Sequence, residues 1–202
     1  NSNLSVKSFA IESWIYPRDN RGQAIVEYSS PGTYGVHLWL NVGIDGDAEK
    51  GTPGALYANV TSSGAWHQIA TSGGAIPLNQ WTHVGLTYDQ TSGVSRLYIN
   101  GKIAASANFG TFTPLTSLPL NIGTRHGYAR YIFNGLIDEV SVYNRALGAD
   151  VMEVVLDGEV RIVKTNEGDF TTKAVIVATG ANPRMVGVPG EAELRGRGVS
   201  YC

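Results

Sequence analysis

From Ser8 to Tyr143 the chain alternates apolar and polar residues with a period of two, in short runs broken by Gly, Pro, Asn, Asp and Ser. Successive side chains of a strand point to opposite faces, so this pattern belongs to half-buried antiparallel strands. The first run places Phe9, Ile11 and Ile15 on one side with Ser13, and Trp14 on the other, and it ends where Pro17 removes a ladder donor. Further strands are expected over 24–28, 34–42, 55–61, 66–71, 82–89, 95–100, 118–122, 131–133 and 137–143. Short strands at this spacing imply an all-β chain folded as an antiparallel β-sandwich. The clearest hairpin runs from Trp81 to Lys102 around a turn containing Ser92-Gly93, and Asn100-Gly101 then supplies the positive φ angles of a second tight turn. Together these make an up-down-up meander.

After Asn144 the texture changes. Residues 145–154 suit one short helix, 156–163 read as half a hairpin, and 170–172 return toward the unbroken apolar run Ala174-Val175-Ile176-Val177-Ala178. Such a run suits a strand buried on both faces of a parallel or mixed sheet. The expected organisation is therefore a sandwich over 1–150 and a short α/β-type fragment over 151–202.

Charge and composition exclude several functions. A net charge of −2 with 16% charged residues leaves no basic field for nucleic acid or for an anionic membrane surface. No apolar run approaches the roughly 18 residues of a membrane span. The opening Asn1-Ser2-Asn3-Leu4 carries no signal-peptide pattern, as expected of a mature or truncated start. Cys202 is the one cysteine, so no disulfide closes within the chain.

Two segments in order, Trp81-Thr82-His83-Val84 through Leu97-Tyr98-Ile99-Asn100-Gly101 and Phe133-Asn134-Gly135-Leu136-Ile137-Asp138-Glu139-Val140 through Leu147, resemble the laminin-G-like, concanavalin A-like lectin/glucanase family. Phe9 to Pro17 looks like that family's early strand. The resemblance covers 8–147 and implies a two-sheet jelly roll, a glycan or protein ligand, and an extracellular or cell-surface setting. It also implies a further N-terminal strand that is missing here, so the strand near 137–143 is expected to expose an open edge suited to self-association. The tail, with Lys173 to Arg184, Val188-Pro189-Gly190-Glu191 and Gly196 to Cys202, resembles flavin-dependent thioredoxin reductases just before their redox cysteine pair. By that resemblance Ala178, Thr179 and Gly180 would lie near the flavin and Cys202 would be the first redox thiol, a cytoplasmic family's remnants. The chain holds no second cysteine and no Gly-x-Gly-x-x-Gly turn, so FAD binding is not expected.

Hydrolysis of a glycoside needs two carboxyl groups facing one cleft. Asp138 and Glu139, as neighbours in a strand, are expected on opposite faces. The chain is therefore expected to bind rather than catalyse. Sugar sites use aromatic faces with a few polar side chains. The candidates are Tyr34, His37, Trp39, Trp66, His67, Arg125, His126, Tyr128 and Arg130, with the polar-aromatic loop Thr124 to Tyr128 foremost. The ligand-binding set is Arg125, His126, Tyr128, Trp39 and Trp66, whereas Trp14, Trp81 and Tyr98 are expected in the core. By family resemblance Asp138 is the candidate calcium ligand, with the acidic turn Asp45-Gly46-Asp47-Ala48-Glu49 a weaker one. The histidines lack zinc-ligand spacing.

Overall fold

A computed structural model describes residues 4–147, 151–157, 160–165 and 168–172. The chain divides into two compact units, 1–147 and 148–202. Among its described residues the first unit holds ten strands: β1 (Phe9–Pro17), β2 (Gln23–Ser30), β3 (Thr33–Leu40), β4 (Leu56–Asn59), β5 (Gln68–Ala70), β6 (Thr82–Tyr88), β7 (Val94–Ile99), β8 (Lys102–Asn108), β9 (Leu120–Ile122) and β10 (Gly135–Tyr143). They form two five-stranded antiparallel sheets, a front sheet ordered β5-β4-β3-β2-β9 and a back sheet ordered β10-β1-β6-β7-β8. Their facing sides make one core. Phe9, Ile11 and Ile15 of β1, Val84, Leu86 and Tyr88 of β6 and Leu97 of β7 meet Ile25, Tyr28, Val36, Leu38, Leu40, Leu56 and Ile69 of the front sheet. Each such side chain stabilises the fold by about 1.5–3 kcal/mol when fully buried.

The expected hairpin joins β6 to β7, with Leu86 opposite Leu97. Asn100 (φ 50°) and Gly101 (φ 76°) form the second turn. It leads into β8, the third strand of the meander, whose outer side is mostly exposed. A strand is expected over 131–133, but Ala129–Tyr131 form a short 3-10 helix. Its N–H of Tyr131 donates to the carbonyl of Tyr128 rather than to a neighbouring strand.

Two core expectations fail. Trp14 is 36% exposed and Trp81 45% exposed, because both stand on the outer side of the back sheet, while Tyr98 is buried at 8%. Alternation identifies a face but not which face meets the other sheet.

β10 is the edge strand of the back sheet and pairs on one side with β1. The register passes from Glu12↔Ser141 to Trp14↔Asp138, so Glu139 and Val140 together oppose Ser13 in a bulge. Glu139 takes φ 51° there, and Asp138 Oδ1 accepts its N–H at 2.8 Å. Both residues are exposed. Among the described residues no strand pairs with the other side of β10, and the bulge with its exposed carboxylates blunts that side against pairing with another strand.

In the second unit, β11 (Val151–Asp157), β12 (Val160–Thr165) and β13 (Gly168–Thr172) form an antiparallel three-stranded sheet ordered β11-β12-β13. The expected helix over 145–154 does not extend through its second half, because Val151 to Val154 belong to β11. Val151, Val154 and Val155 are β-branched residues that favour a strand over a helix. The expected hairpin is present, with Asp157 opposite Val160, and Phe170 of β13 pairs with Val163. The apolar run 174–178, the residues Ala178, Thr179 and Gly180, and Cys202 lie outside the described residues. No described helix is long and apolar enough to cross a membrane.

Candidate functional site

The solvent side of the front sheet carries Ala24 and Glu27 of β2, His37 and Trp39 of β3, and Tyr57 and Asn59 of β4. The loop between β9 and β10 folds over these strands. It is tied down where Gly123 donates to the Ile25 carbonyl at 2.8 Å and Phe133 donates to the Gly123 carbonyl at 2.8 Å. A second small cluster results, in which Trp39, Tyr57, Ala24, Val42 and Tyr131 are buried together. Ring centroids of Trp39 and Tyr131 stand 5.0 Å apart.

Arg125 enters this cluster from the loop. Its Nε donates to Glu27 Oε1 at 2.9 Å and to Oε2 at 3.1 Å, and Trp39 Nε1 donates to the same Oε2 at 2.7 Å. The guanidinium carbon lies 4.3 Å from the Trp39 ring centre and 4.4 Å from that of Tyr34, a cation held between two aromatic faces. Glu27 has no solvent exposure and the Arg125 side chain is 16% exposed. A buried carboxylate requires such partners. The pKa of His37, fully buried beside Trp39 and Tyr57, is pushed down to about 4 by desolvation. The ring is therefore neutral near pH 7, and Nδ1 donates to the Gly35 carbonyl at 2.8 Å.

What remains open is the rim of this cluster. The Tyr34 hydroxyl donates to that of Tyr128 at 2.9 Å, and this bond raises the Tyr34 pKa. Tyr128 is 39% exposed. Arg130 lies 4.8 Å from the Tyr131 ring centre and pairs with Glu49 at 3.2 Å, while the Tyr131 hydroxyl donates to Glu49 at 2.8 Å. Both partners of that ion pair are mostly exposed. His126 is exposed beside them, its N–H reaching Ser29 Oγ at 3.4 Å. The rim thus offers two phenol rings, a guanidinium, a carboxylate and an imidazole within one loop-bounded surface.

The structure brings Arg125, Tyr128, Trp39, Tyr34 and Arg130 together and separates them by role. Arg125 and Trp39 hold the loop from beneath, whereas Tyr128, Arg130 and His126 face water. Trp66 stands elsewhere, 60% exposed on the connection between β4 and β5. Its neighbour His67 stacks on Phe112 with centroids 4.1 Å apart, and its Nδ1 donates to the Val60 carbonyl at 2.9 Å. Sequence reasoning missed Glu27 and Tyr131. Glu27 had a legible signal, a lone carboxylate in the otherwise apolar run Ala24 to Tyr28.

Among the described residues no group of three or more His, Cys, Asp or Glu side chains stands close enough to hold a metal ion. Asp138 spends one oxygen on its own bulge. In the acidic turn, Asp45 pairs with Lys50 at 3.0 Å and Asp47 Oδ1 accepts the N–H groups of Glu49 and Lys50.

The concanavalin A-like lectin/glucanases superfamily matches residues 1–153. Among solved structures, the chain is similar to the CBM40 of the Ruminococcus gnavus IT-sialidase bound to alpha2,3 sialyllactose. The TM-score is 0.58 at 16% identity, over 73% of this chain and 80% of that one. It is also similar to domain 4 of AbnA, a GH43 extracellular arabinanase from Geobacillus stearothermophilus, in complex with arabinotriose. There the TM-score is 0.51 at 24% identity, over 72% of this chain and 64% of that one. These likenesses are of fold. A stretch of 72 residues is 42% identical to the thioredoxin reductase of Peptoclostridium acidaminophilum, covering 33% of this chain and 23% of that protein. The chain therefore spans less than a quarter of that relative.

Proposed function

The chain belongs to the concanavalin A-like lectin/glucanase superfamily, and from that membership we propose that its first domain is a non-catalytic glycan-binding module acting outside the cell. The single observation that carries the reading is the exposed rim of Tyr128, Tyr34, Arg130 and His126 held in place by the buried Arg125–Glu27 pair. Phenol rings stack on the apolar faces of sugars, while the guanidinium, imidazole and Glu49 carboxylate reach hydroxyls. The rim is anchored from beneath, so a ligand meets a surface that needs little ordering. Two structural neighbours are carbohydrate-bound modules, one with alpha2,3 sialyllactose and one with arabinotriose, which supports a sugar over a protein as ligand.

A binding role rather than hydrolysis agrees with the state of the carboxylates on this face. Glu27 is committed to Arg125 and Trp39, and Glu49 to Arg130 and Tyr131. Neither is left free to face the leaving oxygen of a glycosidic bond, as a general acid must.

A glycan array tests the proposal, run with and without calcium and followed by titration of the strongest hit. Tyr128→Ala and Arg130→Ala should each weaken that hit at least tenfold without lowering the melting temperature. Absence of any bound glycan, or a hit indifferent to both substitutions, ends the reading.

A second reading, thioredoxin-disulfide reductase activity, is favoured by the 42% identity over 72 residues. That chemistry needs flavin and a pair of thiols, and the chain contains one cysteine. A visible flavin absorbance band in the purified protein would support this second reading, and a colourless protein would count against it.

A further inference from the structure

The outer side of the back sheet carries aromatic residues where a strand facing water normally carries polar ones. Register fixes their arrangement. Tyr16 of β1 lies opposite Leu136 of β10, and since Ile15 faces Thr82, Tyr16 also stands beside Trp81. Two residues along, Trp14 lies between Asp138 and His83. The rings meet edge to face, Tyr16 with Trp81 at 5.7 Å and Trp14 with His83 at 5.4 Å between centroids. Edge-to-face contact fixes the rings against one another without stacking their faces together. Trp14, Trp81 and Leu136 are 36%, 45% and 45% exposed.

The next row supplies polar groups. Glu12 accepts the Tyr143 hydroxyl at 2.7 Å and lies 3.5 Å from His83 Nε2, and these contacts hold its carboxyl below the usual range. Asp138 stands within the grid, and Arg18 follows beyond the strand end. The surface is thus aromatic at its centre with acceptors at its side, a combination suited to sugar rings and their hydroxyls. Its carboxylates oppose an acidic sugar.

Size discriminates between occupants. Three strands at about 4.8 Å and two rows at about 6.8 Å give roughly 200 Å². A stable protein partner needs about 800 Å² on each side. The patch is too small for a second copy of the chain and matches a few sugar residues.

The geometry points to a second glycan-binding surface on the back sheet, in which Trp14, Tyr16 and Trp81 stack on a neutral polysaccharide chain. It lies on the sheet opposite to the one that bears Tyr128 and Arg130, and it stands whether or not that rim binds sugar.

Intrinsic tryptophan fluorescence and calorimetry of the full chain test it, with cellohexaose and chitohexaose as neutral probes and polygalacturonate as the acidic one. At least one neutral probe should bind, and Trp14→Ala with Trp81→Ala should weaken it at least tenfold. In a Tyr128→Ala, Arg130→Ala background, in which the front rim is disabled, the probe should still bind and should lose that binding on the further Trp14→Ala with Trp81→Ala change, which separates this surface from the front rim. Trp81→Phe, which keeps a ring, should retain most of the affinity and guards against loss through misfolding. The proposal is overturned by failure of both neutral probes, by equal or tighter binding of polygalacturonate, or by binding that survives the double substitution in the rim-disabled background. It is equally overturned if sedimentation shows a dimer that the double substitution dissociates, since the face would then be an interface between copies.

Discussion

Glu27 holds Arg125 through both carboxylate oxygens, at 2.9 and 3.1 Å, in a place from which the carboxylate has no access to water. One member belongs to a central strand of the front sheet and the other to the β9–β10 loop, so the pair fastens a functional loop to its scaffold. The aromatic faces of Trp39 and Tyr34 on either side of the guanidinium replace the water that both charges have lost.

Removing one partner leaves the other charge buried and alone. Arg125→Ala should therefore destabilise the first domain by about 3–5 kcal/mol. Arg125→Lys should recover only part of this, since a point-like ammonium cannot lie flat between two rings. Urea unfolding followed by far-ultraviolet circular dichroism measures both. An Arg125→Ala protein that unfolds at the wild-type midpoint would mean that the loop is held by other contacts.

His37 gives the domain a pH dependence of known sign. Burial lowers its pKa from 6.5 to about 4, while the nearby Glu27 charge opposes the shift and Arg125 adds to it. Between these values the unfolded chain binds a proton that the folded one does not, so stability falls as pH drops from about 6.5 toward 4. The loss is on the order of 3 kcal/mol at 1.36 kcal/mol per pKa unit. His37→Gln should flatten this part of a melting-temperature curve taken from pH 7 to pH 4.5, above most of the carboxylate titrations. A curve unchanged by the substitution would show that the slope comes from other groups.

Trp39 and Trp66, read from sequence as two members of one ligand-binding set, should respond in opposite ways to truncation. Trp39 is 2% exposed and lies against Tyr131, Arg125 and Glu27, so Trp39→Ala should cost about 3–5 kcal/mol. Trp66 is 60% exposed, and Trp66→Ala should change stability by less than about 0.5 kcal/mol. Thermal unfolding of the two variants side by side decides the matter, and similar losses would refute the division.

The sandwich was legible because strands such as β1 alternate, with Phe9, Ile11 and Ile15 on one side. The hairpin turns were legible because Asn100-Gly101 admits few other conformations. Alternation does not say which face meets the other sheet, and for that reason it does not reveal that Trp14 and Trp81 face outward. The site was half legible. The loop Thr124 to Tyr128 stands out by its aromatic and polar composition, but composition does not reveal that Arg125 turns inward. That depends on Glu27, 98 residues earlier, a distance over which no local pattern reaches. The second half of the expected helix at 145–154 failed for a related reason, since Val151 to Val155 find a partner strand in β12.

Gly135, at the start of β10, is fixed by both conformation and space. Its φ is 153°, a region that side chains with a Cβ rarely enter, and a Cβ there would stand 2.1 Å from the Tyr16 carbonyl oxygen and 2.8 Å from the Phe133 ring. Gly101 also has positive φ, 76°, but a Cβ there would meet nothing within 4 Å, so only its backbone conformation resists substitution. Gly101→Ala should cost about 1 kcal/mol. Gly135→Ala should cost more, because backbone strain of about 1–3 kcal/mol is joined by displacement of β1 or of the Phe133 ring. That displacement also shifts Asn134, whose N–H donates to Gln23 and whose amide donates to Asp19, and so loosens the loop that carries Tyr128 and Arg130. Comparing melting temperatures of the two alanine variants tests the argument, and equal values would place the whole cost in φ alone.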